Sequence, residues 1–418
     1  MLIRDPVHGD ISLSPRETAV LDCAAVQRLR GIKQLGAAHL VYPGAVHTRF
    51  DHSLGACAVA HRIVATLRRD DVEVAPDLED LIGAAALLHD ITHVPFGHTL
   101  EDERRLFARH DKGSRLDGLL ASELGAALAR LGMREGIADL LGAAPGSLPA
   151  WARDVVSSTI DADLLDYLRR DTYFTGLAHD YDDRVYQYFT VADGRLALHM
   201  AKHGMDRPDA RSEVIQLLRM RYFLTERVYY HHTKVVAGAM ISKAVELALD
   251  HGVLSEGALL DLNDWTLLDR LARAGVPSIA ALIARLQRRD LFKRAYVISA
   301  HSVDPEERGA LVQRYHESRT QRSAAEAALA SALRCPVEEV IIYCPALTVM
   351  KEAAARVTTS RGLRRLNDRS DAAFPEISAL EDRYANLWRL YVFVAPAAVE
   401  RATPAAVELF RHRSEYGA

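Results

Sequence analysis

The run Leu87-Leu88-His89-Asp90-Ile91-Thr92-His93 sets an imidazole beside a carboxylate at the polar end of an alanine- and leucine-rich stretch, Ala84 to Leu88. Neutral imidazole next to carboxylate is a mixed nitrogen and oxygen donor set for a divalent metal. On one helix, the i,i+4 spacing of His89 and His93 turns both rings toward the same pocket. A His-Asp pair at a helix end is also an ordinary cap or surface ion pair, so its weight depends on its company.

That company is dense. Upstream, His47-Thr48-Arg49-Phe50-Asp51-His52-Ser53-Leu54-Gly55 places two histidines, an arginine and an aspartate just ahead of an apolar helical run. A helix N-cap through Asp51 or Ser53 accounts for the small polar residues, but a cap needs no histidine or arginine. A metal site for a phosphate ester needs an imidazole ligand and a guanidinium to hold phosphoryl oxygens. Downstream, Val94-Pro95-Phe96-Gly97-His98 breaks the helix, Glu101 and Asp102 follow, and then His110-Asp111. Four histidines, His89, His93, His98 and His110, crowd one short region of a chain that has 18 in all. Further on, Asp163, Tyr167 and Asp171 step by four and form one polar stripe, either a solvated face or a ligand contact. Asp166 and Arg170, also four apart, read as a simple surface ion pair.

The elements that must position these groups read as mainly helical. Asp5-Pro6-Val7-His8-Gly9-Asp10 followed by Ile11-Ser12-Leu13-Ser14 turns like a short hairpin, and Ser14-Pro15 starts a helix. Helical periodicity then dominates to about residue 250, over Thr18 to Gln34, Ser53 to Leu67, Leu78 to His89, Ala152 to Arg170 and Ser212 to Asp250. Three β-rich runs follow, Arg294 to Ala300, Val340 to Cys344 and Leu390 to Val394, with a polar helical stretch from Asp304 to Arg334 between two of them. This places an all-α catalytic part at 1–250 and a smaller α+β region at 251–418, a candidate for oligomerisation or effector binding.

With 418 residues, 49% of them hydrophobic, a substantial core is expected. Lysine and arginine total 52 against 56 acidic residues, which argues against nucleic-acid binding driven by bulk charge. Cys23, Cys57, Cys335 and Cys344 lack CxxC spacing and read as reduced thiols. No stretch resembles a signal peptide or a membrane span, so a cytoplasmic protein is expected.

Taken together, Arg49-Phe50-Asp51-His52-Ser53-Leu54-Gly55, His89-Asp90-Ile91-Thr92-His93-Val94-Pro95-Phe96-Gly97-His98 and Ile160-Asp161-Ala162-Asp163 closely resemble the HD-domain phosphohydrolases. The nearest branch is the deoxynucleoside triphosphate triphosphohydrolases, among them the animal enzyme with a sterile-alpha-motif domain and its bacterial relatives. Asp5-Pro6-Val7-His8-Gly9, Gln27 to Gly36 and Tyr229-Tyr230-His231-His232 extend the likeness over most of the first 250 residues. The resemblance implies a helical HD core in which His52, His89, Asp90 and Asp163 bind one divalent metal. Manganese, iron, nickel, cobalt, zinc and magnesium all suit that donor set. It puts Arg49, His93 and His98 around the phosphates and gives His110 the catalytic role, with support from Glu101 or Asp111. Gln34, Leu35, Tyr167, Asp171 and Tyr229 fall where relatives contact sugar, base or phosphates, and Asp22, Gln27 and Arg30 where the animal enzyme binds a guanine-nucleotide effector such as GTP or dGTP. Two departures stand out: Leu164 replaces a triphosphate-holding lysine, and Asp111 replaces a common glutamate.

The expected function is metal-dependent hydrolysis of deoxynucleoside triphosphates to deoxynucleoside and triphosphate by a homo-oligomer, with a tetramer among the options. The alternatives are an HD phosphohydrolase acting on nucleoside monophosphates or modified nucleotides, and a nucleotide-sensing regulatory protein.

Overall fold

The computed structural model describes residues 1–110, 114–143, 146–368 and 375–415. Asp111 lies outside the described residues. The chain is mainly α-helical, with small sheets, most of whose pairings are antiparallel. At the N-terminus Leu2–Asp5 pairs with Gly9–Ser12, and the Asp5 carboxylate accepts the backbone N–H groups of Val7 and His8 at 2.9 and 2.8 Å. Ser14 caps the Pro15–Leu21 helix in a reciprocal pair with Glu17.

Two long helices carry the first metal-type residues. Arg49–Arg69 starts from Thr48, whose hydroxyl accepts the Asp51 N–H while Asp51 reaches back to the Thr48 backbone. The cap is therefore Thr48, with Asp51 completing it, and neither Asp51 nor Ser53 is the first cap. Pro76–Leu88 packs against this helix with Ile82, Leu87 and Leu88 at 1% exposure or less. Burial of such a side chain contributes about 1.5–3 kcal/mol.

Three expected helices are interrupted. Thr18 to Gln34 divides into Pro15–Leu21, Ala24–Gln27 and a tight turn Arg28–Gly31, with extended backbone at Cys23. The break turns the Arg28 guanidinium onto the carbonyls of Ile91, His93 and Leu262, where it fixes the loop after the His-Asp pair. Ala152 to Arg170 divides into Ala150–Val156 and Ala162–Thr175, the second capped by Asp161, which accepts the Leu164 N–H at 2.8 Å. Ser212 to Asp250 divides into Pro208–Leu224, a wide π-type turn Thr225–Tyr229, and His232–Asp250. In each case a side chain or carbonyl needed elsewhere outweighs the small helical preference of the intervening residues.

The three β-rich runs form one antiparallel sheet, with Arg389–Val394 between Lys293–Ser299 and Val340–Tyr343. A four-stranded sheet, ordered Gly362–Arg365, Arg356–Thr359, Arg195–His199, Phe189–Ala192, was not legible as strands. It joins segments more than 150 positions apart by a parallel pairing of Leu198 with Val357. The part before residue 250 is thus not purely helical.

Three buried apolar clusters fill the molecule. The first joins the helices around the His-Asp pair to Met350, Leu366 and Tyr384. The second surrounds His232–Asp250 and takes in Tyr343 and Phe393. The third lies between the three-stranded sheet and the helices Arg319–Leu333 and Val399–Phe410. A buried ionic network ties the segment after the turn Thr99–Glu103 to the later part of the chain. Arg104, fully buried, donates to Glu246 and Glu326, Lys243 lies 2.6 Å from Glu326, and Glu326 accepts the Ile342 N–H at 3.0 Å.

A candidate metal centre and its cavity

His52 leaves the Arg49–Arg69 helix, His89 ends Pro76–Leu88, and Asp163 lies in the first turn of Ala162–Thr175. Their ligand atoms converge. His52 Nε2 lies 3.1 Å from His89 Nε2, 2.9 Å from Asp163 Oδ1 and 3.9 Å from Asp90 Oδ2. His89 Nε2 lies 3.5 Å from Asp90 Oδ1 and 3.7 Å from Asp163 Oδ1. Ligands bound at ~2.0–2.1 Å in a tetrahedral site stand about 3.3 Å apart, which these separations bracket.

The far side of each imidazole is committed to an acceptor. His52 Nδ1 donates to Asp166 at 2.6 Å, and His89 Nδ1 donates to the Ala86 carbonyl at 2.8 Å. Both Nε2 lone pairs therefore face the same point, where they repel unless a proton or cation lies between them. Burial disfavours a charged His52, yet hydrogen bonds to Asp163 and Asp166 push its pKa up to about 10. Burial works against Asp90 as well, but Arg49, His89 and His93 hold its carboxyl well below the usual range. This is an anionic cage with its donors aimed inward, and a divalent cation fits it.

Asp166 and Arg170 are not a surface pair. Both are fully buried, and Arg170 donates to Asp166 through Nε and Nη2 at 2.9 Å each. Asp166 also accepts from His8 Nε2 at 2.7 Å, while Arg170 Nη1 continues to Asp5 at 2.8 Å. The N-terminal hairpin is thereby wired to the back of His52. Gly55 makes room for this cluster, since a Cβ there would stand 1.8 Å from Asp166 Oδ1 and 2.3 Å from Arg170 Nη2.

His93 does not share a helical face with His89, because the helix ends at Leu88. It is buried, 3.2 Å from Asp90 Oδ1, and stacks on His110 with ring centroids 3.7 Å apart. Burial, then Arg49 and His110, drive its pKa well down, so the ring is neutral. His98 and His110 reach the cavity, whereas His93 stays behind its wall. His110 Nδ1 donates to Glu101 at 3.2 Å, and Glu101 is held in turn by Arg115 at 3.1 Å. Burial opposes the Glu101 charge, but hydrogen bonds from His110 and His98 keep its carboxyl ionised far below the ordinary range. Burial lowers the His110 pKa, only partly offset by the hydrogen bond to Glu101.

Arg49 is 2% exposed and donates through Nη1 to Asp90 at 2.5 Å. It passes tightly beneath Gly97, where a Cβ would meet Nη2 at 2.3 Å and where φ is +54°, a region that favours glycine. The guanidinium is thus held at the wall of a cavity of about 840 Å³ that also contains His89, Asp90 and Asp163.

The stripe is divided by its surroundings. Asp163 opens to the cavity with 41% of its side chain exposed. Asp171 is buried, accepting from Tyr229 at 2.6 Å and from His47 Nε2 at 2.8 Å. Tyr167 and Tyr229 flank the Arg221 guanidinium at 5.4 and 5.1 Å. Gln34 and Leu35 line the same cavity, with Gln34 Oε1 unpartnered. Leu164 also lines it, and its side chain joins the first apolar cluster. Asp22, Gln27 and Arg30 lie outside the cavity: Gln27 donates to the Leu21 carbonyl, Arg30 donates to Gln27, and Asp22 ends the first helix.

Sequence reasoning missed Arg221, Lys234, Lys351 and Tyr343, all at the cavity wall. Arg221 had one available signal, two helical turns ahead of Tyr229 and Tyr230. Lys351 and Tyr343 had none, because a distant segment folds back to deliver them.

The HD domain model matches residues 49–171, and the HD associated region matches 212–416. The uncharacterized protein MJ1154 of Methanocaldococcus jannaschii is 33% identical over 317 residues, covering 73% of this chain and 62% of its own. The deoxynucleoside triphosphate triphosphohydrolase SAMHD1 of Danio rerio is 30% identical over 60% of this chain and 45% of its own. The chain therefore spans about half the length of the curated relatives it matches. A crystal structure of a phosphohydrolase from Bacteroides thetaiotaomicron superposes with a TM-score of 0.70 at 22% identity, over 94% of this chain and 99% of that one. A hypothetical protein from Aquifex aeolicus gives 0.72, also at 22% identity, over 97% and 99%. Those two likenesses concern the fold. With the HD domain model lying on the helices that bring His52, His89, Asp90 and Asp163 together, the chain belongs to the HD-domain phosphohydrolase superfamily.

Proposed function

We propose that the protein is a metal-dependent phosphohydrolase that cleaves deoxynucleoside triphosphates to deoxynucleoside and triphosphate. The observation that carries this reading is the convergence of two imidazole Nε2 atoms with the carboxylates of Asp90 and Asp163 at one cavity, beside the Arg49 guanidinium and the His110–Glu101 pair. His52, His89, Asp90 and Asp163 would hold the divalent ion, which supplies Lewis-acid polarisation of a phosphoryl oxygen. Arg49 binds phosphoryl oxygens and offsets the negative charge that grows on them in the transition state. His110, oriented by Glu101, delivers a proton to the leaving oxygen, and Glu101 stabilises the charged ring before transfer. Asp171 and Tyr229, hydrogen-bonded to each other, form with Tyr167 a wall for the sugar end, with Gln34 and Leu35 beside it. In this reading residues 1–250 carry the chemistry, and residues 251–418 complete the cavity.

The likeness of Asp22, Gln27 and Arg30 to effector positions supports a second nucleotide site outside the cavity, and the family supports a homo-oligomer. No helix among the described residues is long and apolar enough to cross a membrane. One observation favours a second reading, hydrolysis of nucleoside monophosphates: Leu164 places an apolar side chain where a triphosphate would gain from a cation.

Purified protein with manganese and each deoxynucleoside triphosphate, with and without GTP, resolved by chromatography, tests the proposal. Inorganic triphosphate as product supports it. Inorganic phosphate from monophosphates replaces it with the second reading, and binding without turnover replaces both with a sensor.

A further inference from the structure

We propose that Glu103, with Lys234 and Tyr343, forms the base-reading end of the cavity and selects nucleotides whose base carries an exocyclic amino group. The inference rests on the nucleotide reading above and adds which bases the site admits.

Glu103 ends the π-type turn Thr99–Glu103 and lines the cavity. Its side chain is 4% exposed, and Oε2 is buried without a hydrogen-bond partner among the described residues. The neighbouring Lys234 ammonium stands 3.9 Å from Oε1, beyond hydrogen-bond reach. A buried carboxyl oxygen without a partner is costly, and such groups concentrate at functional sites. The His232–Asp250 helix approaches it closely at Gly238, where a Cβ would meet Oε1 at 2.8 Å, so the carboxyl is wedged in place. Burial pushes its pKa up to about 8. Burial first and the Glu103 carboxyl next raise the Tyr343 phenol, which sets the two side chains in each other's field.

The chemistry that answers an unpartnered carboxyl oxygen is an N–H donor, accepted whether the group is ionised or protonated. Adenine, cytosine and guanine each present an exocyclic amine. Thymine carries no exocyclic amine and leaves that oxygen without this donor. Tyr343 adds an aromatic surface for a flat ring, and Lys234 adds a donor for a ring nitrogen or carbonyl. A site built to hydrogen-bond one group rejects the analogue that lacks it far more strongly than an apolar pocket could.

The test is kcat/KM for dATP, dCTP, dGTP and dTTP with manganese, for the wild-type protein, Glu103→Met and Glu103→Gln, with thermal melting of each. The expected wild-type result is a preference of about 10-fold or more for the three amino-bearing substrates over dTTP. Glu103→Met collapses that ratio toward one, and Glu103→Gln, which keeps an acceptor oxygen, restores a large part of it. Because Oε2 has no hydrogen-bond partner among the described residues and burial disfavours the carboxylate, the Met variant is expected to melt no lower than wild type. An unchanged ratio in Glu103→Met, or an equal loss on all four substrates, overturns the inference while leaving the hydrolase reading intact. Absence of turnover on every nucleotide by wild type overturns the hydrolase reading and this inference with it.

Discussion

Replacing Asp166 by asparagine probes whether the centre is built from behind. Asp166 accepts four hydrogen bonds, from His52 at 2.6 Å, His8 at 2.7 Å and Arg170 twice at 2.9 Å, and no partner has more than 1% of its side chain exposed. Asparagine offers one acceptor oxygen and turns an amide donor toward two donors. Arg170 would keep only Asp5 as a counter-charge, so a buried cation loses one of its two carboxylates. Breaking such a buried pair costs about 3–5 kcal/mol of stability. His52 would lose the acceptor that directs its Nε2 to the metal point, and disruption of an outer partner of this kind lowers metal affinity about 10–100-fold. Urea unfolding reads the first quantity, and competition with a chromogenic chelator under folding conditions reads the second. Asp163→Asn is the control, since its carboxylate is 41% exposed: it should lose metal with little change in the unfolding midpoint. Asp166→Asn protein with affinity within twofold of wild type would refute the argument that the hairpin and Arg170 organise His52.

Other expectations follow from the same geometry. His110→Gln should lower kcat by about 10²–10⁴ while metal content stays constant; parallel loss of metal would move His110 into the ligand set. Arg104→Met removes the buried cation that Glu326 and Glu246 share, leaving Lys243 to the first and Arg319 and Arg322 to the second, and should cost up to about 3–5 kcal/mol in urea unfolding. A loss below about 1 kcal/mol would show that the ionic link to the later region carries little. For Glu103, the folded pKa of about 8 lies above the ordinary 4.5, so the unfolded chain releases that proton first as pH rises. Stability should therefore fall between about pH 4.5 and 8, by on the order of a few kcal/mol, and Glu103→Met should flatten this fall. Equal slopes in the two proteins would sink that account.

Local chemistry was readable where neighbours in sequence are neighbours in space. Ser14-Pro15 announces its helix, and the apolar run to Leu88 announces the element that carries His89. The three branched runs announce the sheet of Lys293–Ser299, Val340–Tyr343 and Arg389–Val394. Helix interruptions were not readable at Cys23, at Ser157 to Asp161, or at the turn Thr225–Tyr229. There the periodicity runs on, and the breaks answer to contacts with distant residues, as Arg28 on Ile91 and His93 shows.

The sequence alone determined the identity of the ligand-type residues, since His, Asp and Arg at these spacings narrow the chemistry to a cation and an anion. Only the tertiary structure decided their roles. Asp163 and Asp171 share a stripe on paper and both reach the cavity, yet one opens to it while the other has both carboxylate oxygens taken by Tyr229 and His47. Asp166 and Arg170 look like an exposed pair, yet folding of the hairpin over them makes them the buried support of His52. Glu103 carries no motif at all and became notable only when the Gly238 backbone and Tyr343 closed around it. The physical reason is the same in each case. A side chain's chemical type is intrinsic, whereas its solvation and its partners belong to the packed neighbourhood, which sequence spacing alone does not specify.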